Sequence, residues 1–299
     1  MTLRLPTDGG VAQGRPERRR ATLVDLHLHT TASDGRCTPA ELVARAAAAG
    51  VTVMAATDHD TTAGVSEVGA HAERHGILAI SGIEITAIEN GRDLHMLGYF
   101  FDPANPALAE FLAAQRAARV ARIRAIAGRL ASLGMPIDVG PMLADAARQT
   151  GQSIGRPKVA RAMIEAGYVA DMRQAFDLWL GRGCPAFVER AGAVPEDVIS
   201  IVHRAGGLAS LAHPGRSAID SRIPALRDAG LDAVEVYHSD HDAIAVARYE
   251  RMARDLGMLV SGGSDFHGDP GHGMEPGGST LPAGEWERLY AERHRHAAG

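Results

Sequence analysis

Short runs of apolar residues alternate with amphipathic segments along most of the chain. Seven runs have the length and composition of β-strands: residues 23–29, 51–57, 77–84, 93–100, 208–213, 233–238 and 258–268. Most of them precede a segment of helical periodicity. In residues 38–50, for example, Thr38 and Glu41 can form a capping box and Gly50 ends the helix. Strands that alternate with helices predict a parallel sheet, and this number of strands in one domain favours a closed α/β barrel.

Residues 103–190 differ in character from the rest of the chain. Residues 105–133 predict one long amphipathic helix with its arginines on the solvent-facing side, followed by short helices and loops. Because a structureless connection of that length would be unusual, we expect a mostly helical insertion. The predicted domains are a disordered extension (1–21), a barrel (22–102 and 191–285), the helical insertion (103–190) and a C-terminal tail (286–299).

Composition and charge narrow the possible functions. Hydrophobic residues make up 45% of the 299 residues and charged residues 22%, as in a globular protein with a sizeable core. The formal net charge of −5 argues against a protein that coats duplex nucleic acid. Cys37 and Cys184 form no disulfide framework, and we find neither a membrane-spanning run nor a signal peptide. We therefore expect a cytoplasmic protein without a membrane partner, and the sequence leaves the oligomeric state open.

Polar residues that suit metal coordination recur at the ends of the predicted strands. They are His27, His29, Asp34, His59, Glu84, His95, His213, His238, Asp265 and His267. In a parallel barrel the C-terminal strand ends share one face, where active sites are built. Burying imidazoles and carboxylates without partners costs several kcal/mol each, whereas both are ligands of Zn, Mn and Fe ions. Since the candidates exceed the needs of one ion, the pattern predicts two or three divalent metal ions.

Several other histidines and two aspartates receive different interpretations. Six histidines on predicted helices, loops or the tail are interpreted as surface residues: His71, His75, His203, His272, His294 and His296. Asp58 is expected to orient His59 or to satisfy the local backbone. Asp25 is expected to accept a hydrogen bond from a ligand histidine.

Six motifs occur in order over residues 23–285: DLHLHTTASDG, TDHDT, GIEIT, LHMLGYF, AHPGR and GGSDFHG. Together they resemble the polymerase and histidinol phosphatase (PHP) family of metal-dependent phosphoesterases. The resemblance implies a distorted seven-stranded (β/α) barrel and a trinuclear metal site. It implies three ligand sets: His27, His29, Glu84 and Asp265; Glu84, His95 and His213; and Asp34, His59 and His267.

Residues 154–169, IGRPKVARAMIEAGYV, carry a narrower resemblance. They are similar to a segment of the bacterial PHP subgroup that acts on nucleoside 3′,5′-bisphosphates and on 5′ ends of short RNA, although Lys158 stands where that segment has histidine. The resemblance implies a hydrolase that releases the 3′-phosphate of such a bisphosphate and trims short RNA. The expected partner is a small nucleotide or short oligonucleotide, and the expected cofactor is Mn²⁺, with Zn²⁺ and Fe²⁺ as alternatives.

The expected mechanism is attack of a metal-generated hydroxide on phosphorus, in line with the leaving oxygen. Three residues receive catalytic roles. Glu84 would hold the hydroxide, His238 would donate a proton to the leaving group or contact a metal ligand, and Arg216 would neutralise phosphoryl charge. The candidate phosphate-binding residues are Arg156, Lys158, Arg182 and Arg216, of which Arg216 at the barrel rim is the strongest.

Three other functions stay open at this point. A histidinol-phosphate phosphatase would use the same chemistry on a different substrate. An amidohydrolase acting on a cyclic amide would also carry His-x-His on its first strand, but that family bridges its metals through a modified lysine, where this chain has Glu84. A non-enzymatic, metal-dependent regulatory module is the third possibility, and the complete ligand set argues against it.

Overall fold

The computed structural model describes residues 22–148, 152–217, 219–269 and 274–297. Its strands are β1 (Val24–Leu28), β2 (Val53–Ala56), β3 (Leu78–Ala79), β4 (Gly82–Glu89), β5 (Arg92–Tyr99), β6 (Leu208–Leu211), β7 (Ala233–His238) and β8 (Leu259–Gly263). Its helices are α1 (Pro39–Ala48), α2 (Val65–Arg74), α3 (Pro106–Ser132), α4 (Gly140–Arg148), α5 (Arg156–Glu165), α6 (Met172–Ala175), α7 (Pro195–Arg204), α8 (Pro214–Ser217), α9 (Ile223–Asp228), α10 (Ala243–Leu256) and α11 (Ala283–Ala291). The predicted extension at 1–21 and His272 lie outside the described residues.

The strands form two sheets rather than one parallel barrel wall. One sheet has the parallel order β1-β2-β3, and the other has the order β4-β5-β6-β7-β8. In the second sheet β5 runs antiparallel to both β4 and β6, whereas β6, β7 and β8 are parallel. The prediction of a uniformly parallel sheet is therefore wrong. The count of seven strands is not confirmed, because the predicted strand 77–84 divides into β3 and the start of β4.

Gly82 explains this division, and an Asn-Gly pair explains the hairpin that follows it. A side chain at Gly82 would place its Cβ 2.8 Å from the carbonyl oxygen of Ala56, so only glycine lets the chain cross closely over β2. Asn90 and Gly91 both have positive φ, 50° and 70°, as a two-residue type I′ hairpin requires. The Asn-Gly pair was thus a sequence signal for the antiparallel β4–β5 hairpin that the strand prediction did not use.

The two sheets meet along both edges, which makes the fold barrel-like. On one side β1 packs against β8, and Leu28 forms a parallel bridge with Phe266. On the other side His59 forms a bridge with Glu84. A Cβ on Gly263 would lie 2.3 Å from the backbone nitrogen of His27, so the first edge closes only because residue 263 has no side chain.

Helices cover the outside of the sheets. α1 begins with the predicted capping box, in which Thr38 and Glu41 exchange side chain-to-backbone hydrogen bonds. α1 and α2 pack on the first sheet through a cluster that includes Leu42 and Val68. α7, α10 and α11 contact the strands of the second sheet. None of the described helices combines the length and apolar character needed to span a bilayer.

The segment at 103–190 contains helices α3 to α6 and a π-helical turn at Phe176–Leu180, with an apolar cluster of its own. The long predicted helix corresponds to α3, but its arginines do not all face solvent. Arg119 and Arg122 are buried and lie on the same stripe as Leu112 and Ile126. The solvent-facing interpretation is wrong for these two because a helical pattern does not distinguish water from a polar cavity.

The described part of the C-terminal region differs from the predicted tail. α11 buries Trp286 against the main core. Further on, Nε2 of His296 donates a hydrogen bond to Asp232 at 3.0 Å, and Nε2 of His203 donates to the same carboxylate at 2.7 Å. The rings of His203 and His296 stack with centroids 3.6 Å apart. These two histidines, interpreted as surface residues, therefore attach the chain end to the barrel.

Candidate metal centre

The predicted ligands lie together inside the rim of the barrel, although not all at strand ends. His27 and His29 alternate with apolar residues on and just after β1, and both are fully buried. Glu84 is the third residue of β4 rather than its last, and His95 lies in the middle of β5 opposite Thr86. The antiparallel direction of β5 brings His95 to the same region as Glu84. The expectation that every ligand follows a strand end is thus wrong for this hairpin.

The first group of ligand atoms contains His27, His29, Glu84 and Asp265. The Nε2 atoms of His27 and His29 lie 3.3 and 3.2 Å from Oε2 of Glu84. The same two nitrogens lie 3.3 and 3.2 Å from Oδ1 of Asp265. Two imidazoles and two carboxylates therefore converge on one point.

The second group shares Glu84 with the first. Oε1 of Glu84 lies 2.7 Å from Nδ1 of His95 and 3.1 Å from Nε2 of His213. Its other oxygen, Oε2, lies 3.2 Å from Nδ1 of His59. Because its two oxygens face different imidazoles, Glu84 has the geometry of a bridging ligand.

The third group contains His29, Asp34, His59 and His267, whose candidate ligand atoms lie within 4.8 Å of one another. Nε2 of His267 is 3.3 Å from Oδ1 of Asp34, and Nε2 of His59 is 3.8 Å from Oδ2. All nine residues predicted as metal ligands are therefore adjacent to one another, and their ligand roles remain predictions.

Unpaired polar atoms within these groups fit bound cations. Both ring nitrogens of His29, Nδ1 of His59, Nδ1 of His213 and Oδ1 of Asp34 are buried without a hydrogen-bond partner. Nε2 of His29 is 3.2 Å from two carboxylate oxygens, yet no ring hydrogen is aligned for a bond. Lone pairs of nitrogen and oxygen that converge in this way suit a shared divalent ion of the Zn, Mn or Fe kind.

The electrostatics ionise the carboxylates of the centre and divide its imidazoles between two protonation states. Burial opposes ionisation of Glu84, but the imidazoles of His59 and His95 hold its pKa well below the ordinary value. Burial likewise opposes ionisation of Asp265, and His27 and His267 lower its pKa further than burial raises it. Burial lowers the pKa of His59 to about 3, so its ring is neutral. Burial opposes protonation of His29, but Asp265 and Glu84 raise its pKa to about 10. The ionised carboxylates and His59 are ready to bind metal, whereas His29 releases a proton when it binds.

A cavity of about 120 Å³, here called the arginine cavity, adjoins Asp34, His59 and His95. Four arginines line it: Arg119, Arg122, Arg156 and Arg190. Asp60 binds two of them through Oδ2, with Arg119 at 2.5 Å and Arg190 at 2.7 Å. Asp93 binds the other two, with Arg122 at 3.1 Å and Arg156 at 3.0 Å. Four guanidinium groups thus face these two carboxylates and Asp34, which leaves the cavity formally positive by one charge.

The predicted phosphate-binding residues are placed differently from one another. Arg156 lines the arginine cavity, and Lys158 is half-buried on the same helix, α5. Arg216 donates to Asp265 at 3.1 Å and also contacts Asp240. Arg182 is exposed and donates to the carbonyl oxygen of Gly91 at 3.3 Å, outside the residues that line the cavity.

Sequence reasoning missed several residues of this site. Arg119 and Arg122 could have been found from their position on the apolar stripe of α3, and Arg190 carried no comparable signal. Asp60 has a positive φ of 51° and is fully buried. Glu235 is the one charged residue within the apolar strand β7, and that contrast was a usable signal.

Two buried aspartates play structural parts. Asp25 accepts hydrogen bonds from Ser264 and from the backbone N–H groups of His27 and Gly277, so the expected bond to a histidine ring is wrong. Asp58 accepts from Thr30 and Ser33, which agrees with the expectation that it satisfies the local chain.

Histidine and carboxylate groups that share one glutamate inside an α/β barrel are typical of metal-dependent hydrolases. The family model of the PHP domain matches residues 25–149. A 3′,5′-nucleoside bisphosphate phosphatase of Chromobacterium violaceum is 35% identical over 86% of this chain and 91% of its own. A 5′-3′ exoribonuclease Rnm of Salmonella typhimurium is 36% identical over 88% and 92%. The chain belongs to the PHP domain family and is a metal-dependent phosphoesterase, hence a hydrolase.

Other relatives of the chain are named for different reactions. A phosphoribosyl 1,2-cyclic phosphate 1,2-diphosphodiesterase of Eggerthella lenta is 33% identical over 82% of this chain and 94% of its own. Among solved structures, an amidohydrolase of Chromobacterium violaceum with bound sulfate and no metal matches with a TM-score of 0.80 at 33% identity, over 90% of this chain and 96% of that one. A Bifidobacterium adolescentis protein, classed by inference as a metal-dependent phosphoesterase, matches with a TM-score of 0.83 at 32% identity, over 91% and 96%. These matches confirm the PHP-type α/β fold.

Proposed function

We propose that this phosphoesterase releases the 3′-phosphate of nucleoside 3′,5′-bisphosphates and removes nucleotides from the 5′ ends of short RNA. The observation that carries the proposal is the arginine cavity beside the candidate metal centre. A nucleoside bisphosphate has two anionic groups joined by one ribose, so one phosphate can meet the metal centre while the other enters the cavity. The names of the Chromobacterium and Salmonella relatives support the same substrate class.

The excess positive charge of the cavity favours a substrate with two phosphate groups over the alternative substrates. Histidinol phosphate carries one phosphate and a cationic amine, which four arginines would repel. An uncharged cyclic amide has no anionic group for the cavity to bind. The amidohydrolase alternative also lacks its bridging lysine, because Glu84 lies between the first two ligand groups. A substrate with two phosphate groups uses the site more fully than either.

Glu84 and Arg216 have distinct roles in the proposed reaction. Divalent ions, when bound, stabilise charge on phosphoryl oxygens and lower the pKa of water. Glu84 holds the first two ligand groups at a fixed separation, because its two oxygens contact different imidazoles. Arg216 is half-exposed at the rim and contacts Asp265 through one nitrogen, so its guanidinium is positioned to bind a phosphoryl oxygen as charge develops there.

The hydrogen bonds of His238 favour one of its two predicted roles. Its Nδ1 accepts the backbone N–H of Asp240 at 3.0 Å, which leaves the ring proton on Nε2. Nε2 lies 3.3 Å from Oδ2 of Asp265 and donates to it. This supports a role in orienting Asp265, and proton donation to the leaving group becomes the less favoured role.

The proposal is tested with purified, Mn²⁺-loaded protein and a substrate panel. The panel contains adenosine 3′,5′-bisphosphate, a 5′-phosphorylated RNA tetramer, adenosine 5′-monophosphate, histidinol phosphate and a cyclic amide. We expect phosphate release from the 3′ position of the bisphosphate and mononucleotide release from the tetramer. Glu84→Ala should abolish both. Turnover of histidinol phosphate or the cyclic amide, with the bisphosphate and tetramer untouched, would contradict the substrate assignment.

A further inference from the structure

Glu235 is a fully buried carboxylate that no predicted ligand set includes. It lies on β7 between Val234 and Val236, and its side chain points into the barrel interior among the candidate ligands. Oε1 is 2.8 Å from Nδ1 of His27, and Oε2 is 2.7 Å from the backbone nitrogen of His213. One carboxylate therefore contacts a member of the first ligand group and a member of the second.

The contact with His27 determines which ring nitrogen is free. An ionised carboxylate can only accept, so Nδ1 of His27 carries a proton, and Nε2 is the nitrogen left to coordinate an ion. Nε2 is the atom that faces Glu84 and Asp265 in the first group. A carboxylate behind a ligand imidazole both selects the tautomer and fixes the ring orientation.

The contact with His213 acts on the backbone instead. His213 has a φ of 27°, a conformation that residues other than glycine rarely adopt. Its backbone N–H donates to Glu235, and its Nε2 reaches Oε1 of Glu84 at 3.1 Å. Without the carboxylate, the strained backbone could relax and carry the ring away from Glu84.

The same geometry argues that Glu235 is not itself a ligand. Each of its oxygens already accepts a short N–H bond. It approaches His27 at Nδ1, on the opposite side of the ring from the convergent Nε2. We propose that Glu235 is a positioning residue that holds His27 and His213 in their metal-binding geometry. This inference rests on the metal dependence of the family and not on the proposed nucleotide substrate.

The test compares Glu235→Gln with the wild-type chain. Glutamine has nearly the same shape but offers one acceptor to two N–H donors, so one contact is lost. We expect Zn²⁺ to bind about 10- to 100-fold more weakly at the groups that contain His27 and His213. The group of Asp34, His59 and His267 should keep its affinity. Isothermal titration calorimetry and a metal count per chain at limiting Zn²⁺ give these values without an activity assay.

A spectroscopic readout and a control separate positioning from simple destabilisation. Nitrogen-15 NMR of the histidine rings in the Zn²⁺-loaded protein should show a single His27 tautomer, protonated at Nδ1, in the wild type and a mixture in Glu235→Gln. Glu250→Gln is the matched control, because Glu250 accepts from Tyr237 of the same strand and is exposed. It should bind Zn²⁺ as the wild type does.

Three results would overturn the proposal. The first is unchanged Zn²⁺ affinity in Glu235→Gln with an unchanged His27 tautomer. The second is a lower melting temperature with unchanged affinity, which would make Glu235 merely structural. The third is loss of one whole Zn²⁺ ion while the His27 tautomer stays fixed, which would make Glu235 a ligand. If Glu235→Ala does not fold, the near-isosteric glutamine variant still decides among these outcomes.

Discussion

At the scale of single residues, the arginine cavity shows how a buried positive charge is kept in place. Each of its two carboxylates binds a pair of guanidinium groups through one oxygen, Asp60 on one side and Asp93 on the other. Burial would otherwise favour loss of the charge, and it lowers the pKa of Arg156 and Arg190. Each arginine shares its carboxylate with a second arginine, so it retains N–H donors for an incoming anion. An arginine buried in the same place without a carboxylate would pay the full free energy of desolvating its charge.

The variant Arg156→Ala tests the hypothesis that the arginine cavity binds the second phosphate of the substrate. A charge-assisted hydrogen bond contributes about 1.5–3 kcal/mol, so removal should raise KM for adenosine 3′,5′-bisphosphate roughly 10- to 100-fold. The KM for p-nitrophenyl phosphate, which has no second phosphate, should change less than about threefold. Arg173→Ala is the control, because Arg173 is exposed and pairs only with Asp177 in the described structure. Equal losses on both substrates would contradict a second-phosphate site.

Asp232→Asn should weaken the attachment of the chain end in a pH-dependent way. Burial raises the pKa of Asp232, but its bonds to His203, His296 and the backbone of Ala209 lower it below the ordinary value. A depressed folded-state pKa contributes stability above the unfolded pKa near 4, and this contribution is lost as pH falls. Urea unfolding should show the variant less stable by about 1–3 kcal/mol at pH 6, with a narrower gap at pH 3.5. A gap that is constant over this range would contradict the assignment.

At the scale of elements, closure of the barrel depends on how closely β8 approaches β1. A methyl group at Gly263 would overlap the backbone of His27, and backbone cannot yield as a flexible side chain can. Gly263→Ala should therefore lower the free energy of unfolding by about 1–3 kcal/mol or more in the metal-free protein.

The opposite sign is expected for a glycine with free space around it. Gly69 lies within α2, and nothing in the described structure approaches a Cβ built there within 4 Å. Gly69→Ala should raise the free energy of unfolding by about 0.5–1 kcal/mol, since alanine favours the helix. Chemical denaturation of both variants measures the pair. If both variants changed the free energy of unfolding by a similar amount and in the same direction, the close approach of β8 to β1 would not be the reason that residue 263 is glycine.

Patterns among neighbouring residues predicted the helices and strands better than they predicted which strands pair and in which direction. The capping box of α1 and the length of α3 follow from neighbouring residues, and both were predicted closely. The β4–β5 hairpin was not, because residues 77–84 read as one apolar run and strand direction is decided by distant partners. Arg119 was misplaced for a related reason: a polar residue on a helix can face water or a buried cavity. The predicted ligand residues could be named because their types and order match family motifs, and the structure brings them together.

At the scale of the whole molecule, the metal centre joins parts of the chain that local structure does not join. Its predicted ligands come from β1, the β4–β5 hairpin and the loops after β1, β2, β6 and β8. The arginine cavity adds α3, α5 and the segment at Arg190, so barrel and insertion share one site. A metal ion bound there would hold both sheets together, and its removal should affect global stability.

Chelation provides the corresponding measurement. A ligand present at 100 times its Kd stabilises the folded state by about 2.7 kcal/mol, because it binds that state alone. For a chain of this size that corresponds to roughly 5–10 °C in Tm. We expect Tm to fall by this amount after EDTA treatment and gel filtration, and to recover with Mn²⁺. Glu84→Gln should show little response to either step, since Glu84 belongs to two ligand groups. Metal analysis should first show that the wild-type protein was loaded and then stripped. If chelation then left its Tm unchanged, the ligands would already be held rigidly by their own hydrogen bonds. The unpaired nitrogens of His29 argue against that rigidity.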